Sequence, residues 1–180
     1  MYQEHGVTPS PKMAGLMAAA ILSDTVMFKS PTCTKKDIAM AERLARIARI
    51  SLKDLGRELF SSTSDGKSAE ELLGTDYKEF HISGQTIGVG QITCVDSSKL
   101  VERRDEFIAA MEKVKQNSNC DLVILMITDV LLDGSHIFYV GSDDVMQEAF
   151  STVPKDKHMF LPKVMSRKKQ IIPMLTAMWG

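Results

Sequence analysis

Apolar residues recur at helical spacing from the start of the chain. Ser10 and Pro11 supply an N-cap and a first-turn proline, and Met13, Met17, Ala20, Ile21 and Asp24 follow on one helical face. Polar residues between them are so sparse that this predicted helix should be a buried one. Lys29-Ser30-Pro31-Thr32 predicts a loop. Thr34 and Asp37 then form a capping-box pattern ahead of a second helix with the stripe Ile38, Ala41, Leu44, Ala45 and Ala48. Ser51 and Asp54 repeat the signal for a third helix carrying Leu52, Leu55 and Leu59. The small polar run Ser61-Ser62-Thr63-Ser64-Asp65-Gly66-Lys67 breaks the pattern, which predicts a linker and a domain boundary between 1–63 and 64–180.

Beyond the break the pattern turns to mixed α/β. Ser68 to Leu73 predicts a short capped helix. Glu79 to Val95 alternates around Ser83-Gly84-Gln85, as two strands joined by a tight turn would. Leu100, Phe107, Ile108, Met111 and Val114 lie on the buried side of one amphipathic helix, Leu100 to Val114. Leu122 to Ile127 is an unbroken apolar run suited to a central strand covered on both faces. Asp133-Gly134 predicts a hairpin turn into Ile137 to Val140, and Ser142 opens a helix through about Phe150. A last strand is predicted over Met159 to Val164, interrupted at Pro162. The fold class is α/β.

Composition narrows the function classes. A formal net charge of -1 argues against a nucleic-acid surface spread over the whole molecule, although Arg167-Lys168-Lys169 is a local basic cluster. The longest apolar stretch, Met13 to Leu22, is about half what spans a bilayer, and no basic-then-apolar leader opens the chain. No membrane or nucleic-acid partner is therefore expected. Cys33, Cys94 and Cys120 are widely spaced with no C-x-x-C, which suits reduced thiols in a cytoplasmic protein.

Two stretches carry candidate chemistry. Asp24 ends an apolar helix, where burial and the negative end of the helix dipole both disfavour an ionised carboxylate. A bound cation would relieve both; a turn cap or a pair with Lys29 would relieve them as well, and spacing alone favours that plainer role. Arg167, Lys168 and Lys169 stand between Val164-Met165 and Ile171-Ile172. Arginine offers a planar fork for phosphate oxygens and lysine a compact charge, yet such a run is more often a solvated turn. Ser166 beside them would bond an oxyanion or cap a turn. A carboxylate for metal and cations for phosphate are the two halves of a metal-assisted phosphoryl-transfer site, and one carboxylate cannot hold a metal by itself. Lys78 alone is an ordinary surface lysine ahead of the first strand. Asp129 at the end of the central strand reads better as a turn cap than as a catalytic group. His5, His81, His136 and His158 read as isolated residues. No phosphate-cradling glycine motif occurs.

The segment Ala14-Gly15-Leu16 through Thr34 resembles the family II, manganese-dependent inorganic pyrophosphatases of the DHH phosphoesterase superfamily. So does Val164 through Pro173, with its Ser-Arg-Lys-Lys-Gln core, and the likeness extends through Asp76 to Phe80 and Ile127-Thr128-Asp129. The resemblance implies a helical remnant of a DHH domain at 1–63, followed by a mixed-sheet DHHA2 substrate-binding domain at 64–180. It implies that Asp24 is a metal ligand, for Mn2+ or else Co2+ or Mg2+. Lys78, Arg167 and Lys168 would then contact pyrophosphate. This favours the sharper readings of both stretches. The family's opening His-x-x-x-Asp-x-Asp motif and its Asp-His-His triplet are missing. The chain is therefore expected to supply one metal ligand and the basic residues, with no catalytic residue of its own. It should be inactive alone, and either homo-oligomeric or completed by a DHH-domain segment. An exopolyphosphatase of the same superfamily and a non-catalytic anion-binding or interaction module are the alternatives.

Overall fold

The computed structural model describes residues 6–61 and 66–179, so most of the expected linker lies outside the described residues, as does His5. The chain divides into two compact units, Met1–Ser62 and Thr63–Gly180. The described residues of the first carry three helices, α1 (Pro11–Asp24), α2 (Lys35–Ala48) and α3 (Leu52–Ser61). Their starts follow the sequence signals: Ser10 accepts the Met13 amide, and Thr34 and Asp37 cap each other's backbone. Within this unit α1 does not bury the expected face. Ala14 and Ala18 let α2 approach closely and pack on Leu44, and Leu22 is buried as well, while Met13 and Leu16 stay exposed and Met17 and Ile21 are half-buried.

The second unit is a three-layer α/β arrangement. Its strands are β1 (Tyr77–Ile82), β2 (Gln85–Cys94), β3 (Leu122–Asp129), β4 (Gly134–Val140) and β5 (His158–Pro162), and they lie side by side in chain order. Only β2 and β3 are parallel, and helices supply the crossover between them. β3 is buried along its whole length, as its continuous apolar run requires. One face of the sheet packs on α4 (Ala69–Thr75) and α6 (Arg104–Asn117) through Leu72, Phe107 and Met111. The other face packs on α7 (Asp143–Phe150), on α8 (Ile172–Trp179) and on the turn just before α8, through Met146, Phe150, Leu175 and Ile171.

The structure revises several sequence expectations. The expected helix from Leu100 to Val114 is two helices, α5 (Ser98–Glu102) and α6, broken at Arg103. Asp129 ties down Ser97 at the start of α5 while Phe107 and Met111 hold α6 to the sheet, so one straight axis cannot satisfy both. β5 begins at His158 and stops at Pro162, short of Val164. The C-terminal helix had no sequence expectation. It opens as a π-helical turn, Arg167–Ile171, and continues as α8 with Pro173 in its first turn. The wider turn accommodates a proline that has no N–H to give.

The register also brings together two histidines that the sequence left isolated. His136 on β4 and His158 on β5 approach to 2.9 Å between Nδ1 and Nε2, boxed by Phe138 and Phe160. Burial lowers the pKa of both; Asp129 opposes the shift at His136, whereas Arg104 and the partner ring reinforce it at His158. A depressed imidazole pKa means that the unfolded chain binds more protons. The pair's contribution to stability is therefore complete above about pH 6.5 and is lost as pH falls through the lowered values. Thermal melts from pH 7.5 to 5 should show a midpoint that drops more steeply in the wild type than in His136→Phe/His158→Phe. Parallel curves would rule the pair out.

Candidate anion-binding site

Polar residues aligned across three strands form the floor of the site. Gln91, Thr128 and Ser135, from β2, β3 and β4, point to the face covered by α7 and α8. Gln91 Nε2 donates to Thr128 Oγ1 at 3.2 Å, and Ser135 Oγ lies 3.1 Å from the same oxygen. These residues reach up to the main chain that follows β5: Ser135 donates to the Val164 carbonyl at 2.6 Å and Gln91 to that of Met165 at 3.4 Å. Gln170 closes the segment from above. Its Oε1 accepts the Met165 and Ser166 amides at 2.8 and 3.0 Å, and its Nε2 donates to the Lys163 carbonyl at 2.8 Å. Ser166 caps the π-helical turn by accepting the Lys169 amide. Three devices thus fix the start of the basic segment. Such a turn is a frequent feature of functional sites.

The three cations of the segment separate. Arg167 is buried, at 6% exposure. Its Nη1 donates to the Asp76 carbonyl at 2.7 Å and the Val89 carbonyl at 2.9 Å, and its Nη2 pairs with Asp76 Oδ1 at 2.8 Å. Lys168 and Lys169 are exposed at the start of the helical segment, where the partial positive charge of the dipole adds to their own. Lys78 lies within β1 rather than ahead of it, opposite Val89. Cross-strand partners share a face. Lys78 therefore projects from the face on which Val89 packs, and Arg167 bonds the backbone of that same Val89. The tertiary structure brings Lys78 and Arg167 to one sheet edge and one face.

Asp24 belongs to the other unit. It is the exposed last residue of α1, and no hydrogen bond or ion pair is seen at its carboxylate among the described residues. Thr25 locks the helix end beside it, donating through Oγ1 to the Ile21 carbonyl at 2.6 Å and accepting the Phe28 amide at 3.2 Å. Val26, Met27 and Phe28 then hold left-handed φ values of 48°, 52° and 68°. Side chains adopt that region at a cost, and such strain tends to collect near functional groups. Among the described residues no group of three or more His, Cys, Asp or Glu could hold a metal ion. Asp24 alone does not fit a complete metal centre.

Other candidates prove structural. Asp129 accepts the Ser97 amide and hydroxyl on one oxygen and the Leu132 amide on the other, the turn-capping role read from the sequence, one residue further along. Cys94 is buried and donates to the Thr128 carbonyl, and burial pushes its thiol up to about 12, so it stays protonated. The sequence assigns no role to Asp76 and Gln170, although both lie in the segments of likeness, and Gln91 draws no attention there. A glutamine alternating with buried Val89 in a strand was the one available signal.

Residues 57–178 match the DHHA2 domain, and the chain belongs to that family. It is 42% identical over 97% of its length to a manganese-dependent inorganic pyrophosphatase of Methanothrix thermoacetophila, covering 58% of that protein. A cobalt-dependent inorganic pyrophosphatase of Clostridium perfringens is 39% identical over 96% of this chain, which spans 32% of it. A solved structure from Methanococcus jannaschii, assigned to the family II inorganic pyrophosphatases, superposes with a TM-score of 0.83 at 35% identity. That match covers 96% of this chain and 57% of the other. The chain thus spans less than two thirds of the length of these relatives.

Proposed function

We propose that this chain binds inorganic pyrophosphate and serves its metal-dependent hydrolysis to two phosphates. The carrying observation is the convergence of Lys78 and Arg167 on one face, below a helix start that displays Lys168. The relatives' names support the substrate, and they support manganese or cobalt as the metal. In this reading residues 64–180 are the substrate-binding DHHA2 domain, and residues 1–63 are the last helices of a DHH domain. Lys168 and Lys78 neutralise the phosphate oxygens, and Arg167 orients one phosphoryl group, so that charge developing on the leaving phosphate meets fixed cations. Asp24 supplies one carboxylate to the metal, and protein outside these 180 residues supplies the other ligands. The metal's part is to activate water and polarise the phosphoryl oxygens. No described helix is long and apolar enough to cross a membrane.

Pyrophosphate titrated into the 180-residue chain should shift the Lys168 and Lys169 amide signals in a salt-sensitive way. Lys168→Ala should weaken the binding about fivefold, the scale of one exposed charge–charge contact of roughly 1 kcal/mol. Unchanged affinity in Lys168→Ala would falsify the assignment. Phosphate release with Mn2+ should be negligible for the chain alone and should appear on mixing with the N-terminal segment of a relative.

A further inference from the structure

A guanidinium carries five N–H hydrogens, and among the described residues the surroundings of Arg167 use three of them. Nη1 spends both of its hydrogens, on the carbonyls of Asp76 and Val89, and Nη2 spends one on the Asp76 carboxylate. Asp76 meets Nη1 through its carbonyl and Nη2 through Oδ1, so it grips the edge that these two nitrogens share. The Nε–H and the second Nη2–H remain, side by side along the adjoining edge. Two parallel N–H groups at that spacing match two oxygens of a single phosphoryl group. The Arg167 side chain is only 7% exposed, which leaves the guanidinium little freedom to turn.

Asp76 is half-exposed and negatively charged beside a site read as binding a polyanion. Its charge opposes the ligand, so charge alone gives no reason for an acidic residue there. We propose that Asp76 is a positioning residue. Its carbonyl and carboxylate hold one edge of the Arg167 guanidinium so that the other edge stands as a fixed fork for one phosphoryl group of pyrophosphate. This rests on the pyrophosphate-binding reading and adds to it. Lysines 78 and 168 supply attraction, whereas Arg167 supplies orientation only while Asp76 holds it.

Charge and position can be separated. Asp76→Asn keeps the Oδ1 acceptor and loses the charge; Asp76→Ala loses both. Pyrophosphate is titrated at fixed ionic strength into the 180-residue chain, into these two variants, and into Arg167→Lys with and without Asp76→Ala. Affinity is read from the Lys168 and Lys169 amide shifts, and the Arg167 side-chain N–H signals are followed in the same spectra. Asp76→Asn should bind as tightly as wild type or more tightly, with separate, slowly averaging Nη signals. Asp76→Ala should bind about tenfold more weakly, with averaged Nη signals, as loss of a charged hydrogen bond predicts. In the Arg167→Lys background, Asp76→Ala should cost no further affinity. If the alanine variant loses the dispersed spectrum of a folded chain, Asp76→Ser takes its place with the same expectation. Equal tightening in the asparagine and alanine variants would leave a charge effect alone and overturn the positioning role, as would wild-type affinity in Asp76→Ala. Binding that depends on Lys168 but not on Asp76 sinks this inference alone. No pyrophosphate-induced shift in the wild type sinks the binding reading, and this inference with it.

Discussion

Arg167→Ala should destabilise the fold by about 3 kcal/mol, although the residue sits in a segment that reads as a solvated basic turn. The substitution removes three hydrogen bonds that tie the start of the C-terminal helix to Asp76 and to β2. Lys168→Ala, one residue further on, removes an exposed side chain and should change stability by less than about 0.5 kcal/mol. Arg167→Lys keeps the charge but cannot reach both carbonyls and the carboxylate together, so it should fall between the two. Urea titrations of the three variants test this ordering. An Arg167→Ala variant as stable as Lys168→Ala would show that the buried contacts contribute nothing. The same contrast explains why Lys168, and not Arg167, is the cleaner probe of anion binding: its loss changes the site without loosening the segment that carries it.

Gly134→Ala should cost a similar amount, about 3 kcal/mol. An added Cβ would lie 2.6 Å from the Phe160 ring, 2.8 Å from the Leu161 carbonyl oxygen and 3.1 Å from the Pro162 Cα. Two of these atoms belong to the backbone of β5, so relief requires the strand pair itself to separate. Gly141, just past the other end of β4, gives a comparison. A Cβ there would meet the flexible end of Leu122 at 2.6 Å, with backbone no nearer than 3.6 Å. Gly141→Ala should cost only about 1 kcal/mol, because a leucine can change rotamer where a strand cannot move. Equal midpoints for the two variants in thermal or urea unfolding would refute this distinction. The result bears on the site as well, since β5 leads directly into the segment held by Ser135 and Gln91.

The local elements were legible because their causes are local. Ser10 ahead of Pro11, Thr34 with Asp37, and the capped start at Ser68 close helix ends through bonds that span three residues, to the amides of Met13, Asp37 and Glu71, and each is present in the structure. The apolar run from Leu122 fixed a central strand, because such a run has to be covered on both faces. The Asp133-Gly134 pair was legible as a turn but not in its division of labour. Asp133 takes the left-handed φ of 54°, while Gly134 is needed for the space it leaves to β5.

What the sequence could not contain is which long-range neighbour each polar group meets. The Ser-Arg-Lys-Lys-Gln string shows charge and a family likeness, but nothing local separates a buried arginine from the exposed lysine next to it. That separation arises because a π-helical turn directs position 167 inward to Asp76 and Val89, some 91 and 78 residues earlier in the chain. In the same way His136 and His158, 22 residues apart, became a pair only through the β4–β5 register. Periodicity and capping determined α1 to α4, α7 and the strands as far as β4, since those depend on contacts within a few residues, but they left α8 and the break between α5 and α6 unread. The sheet register and the packing of the C-terminal helix decided which cations face solvent and which one is held, because contacts distant in sequence set burial and hydrogen-bond partners.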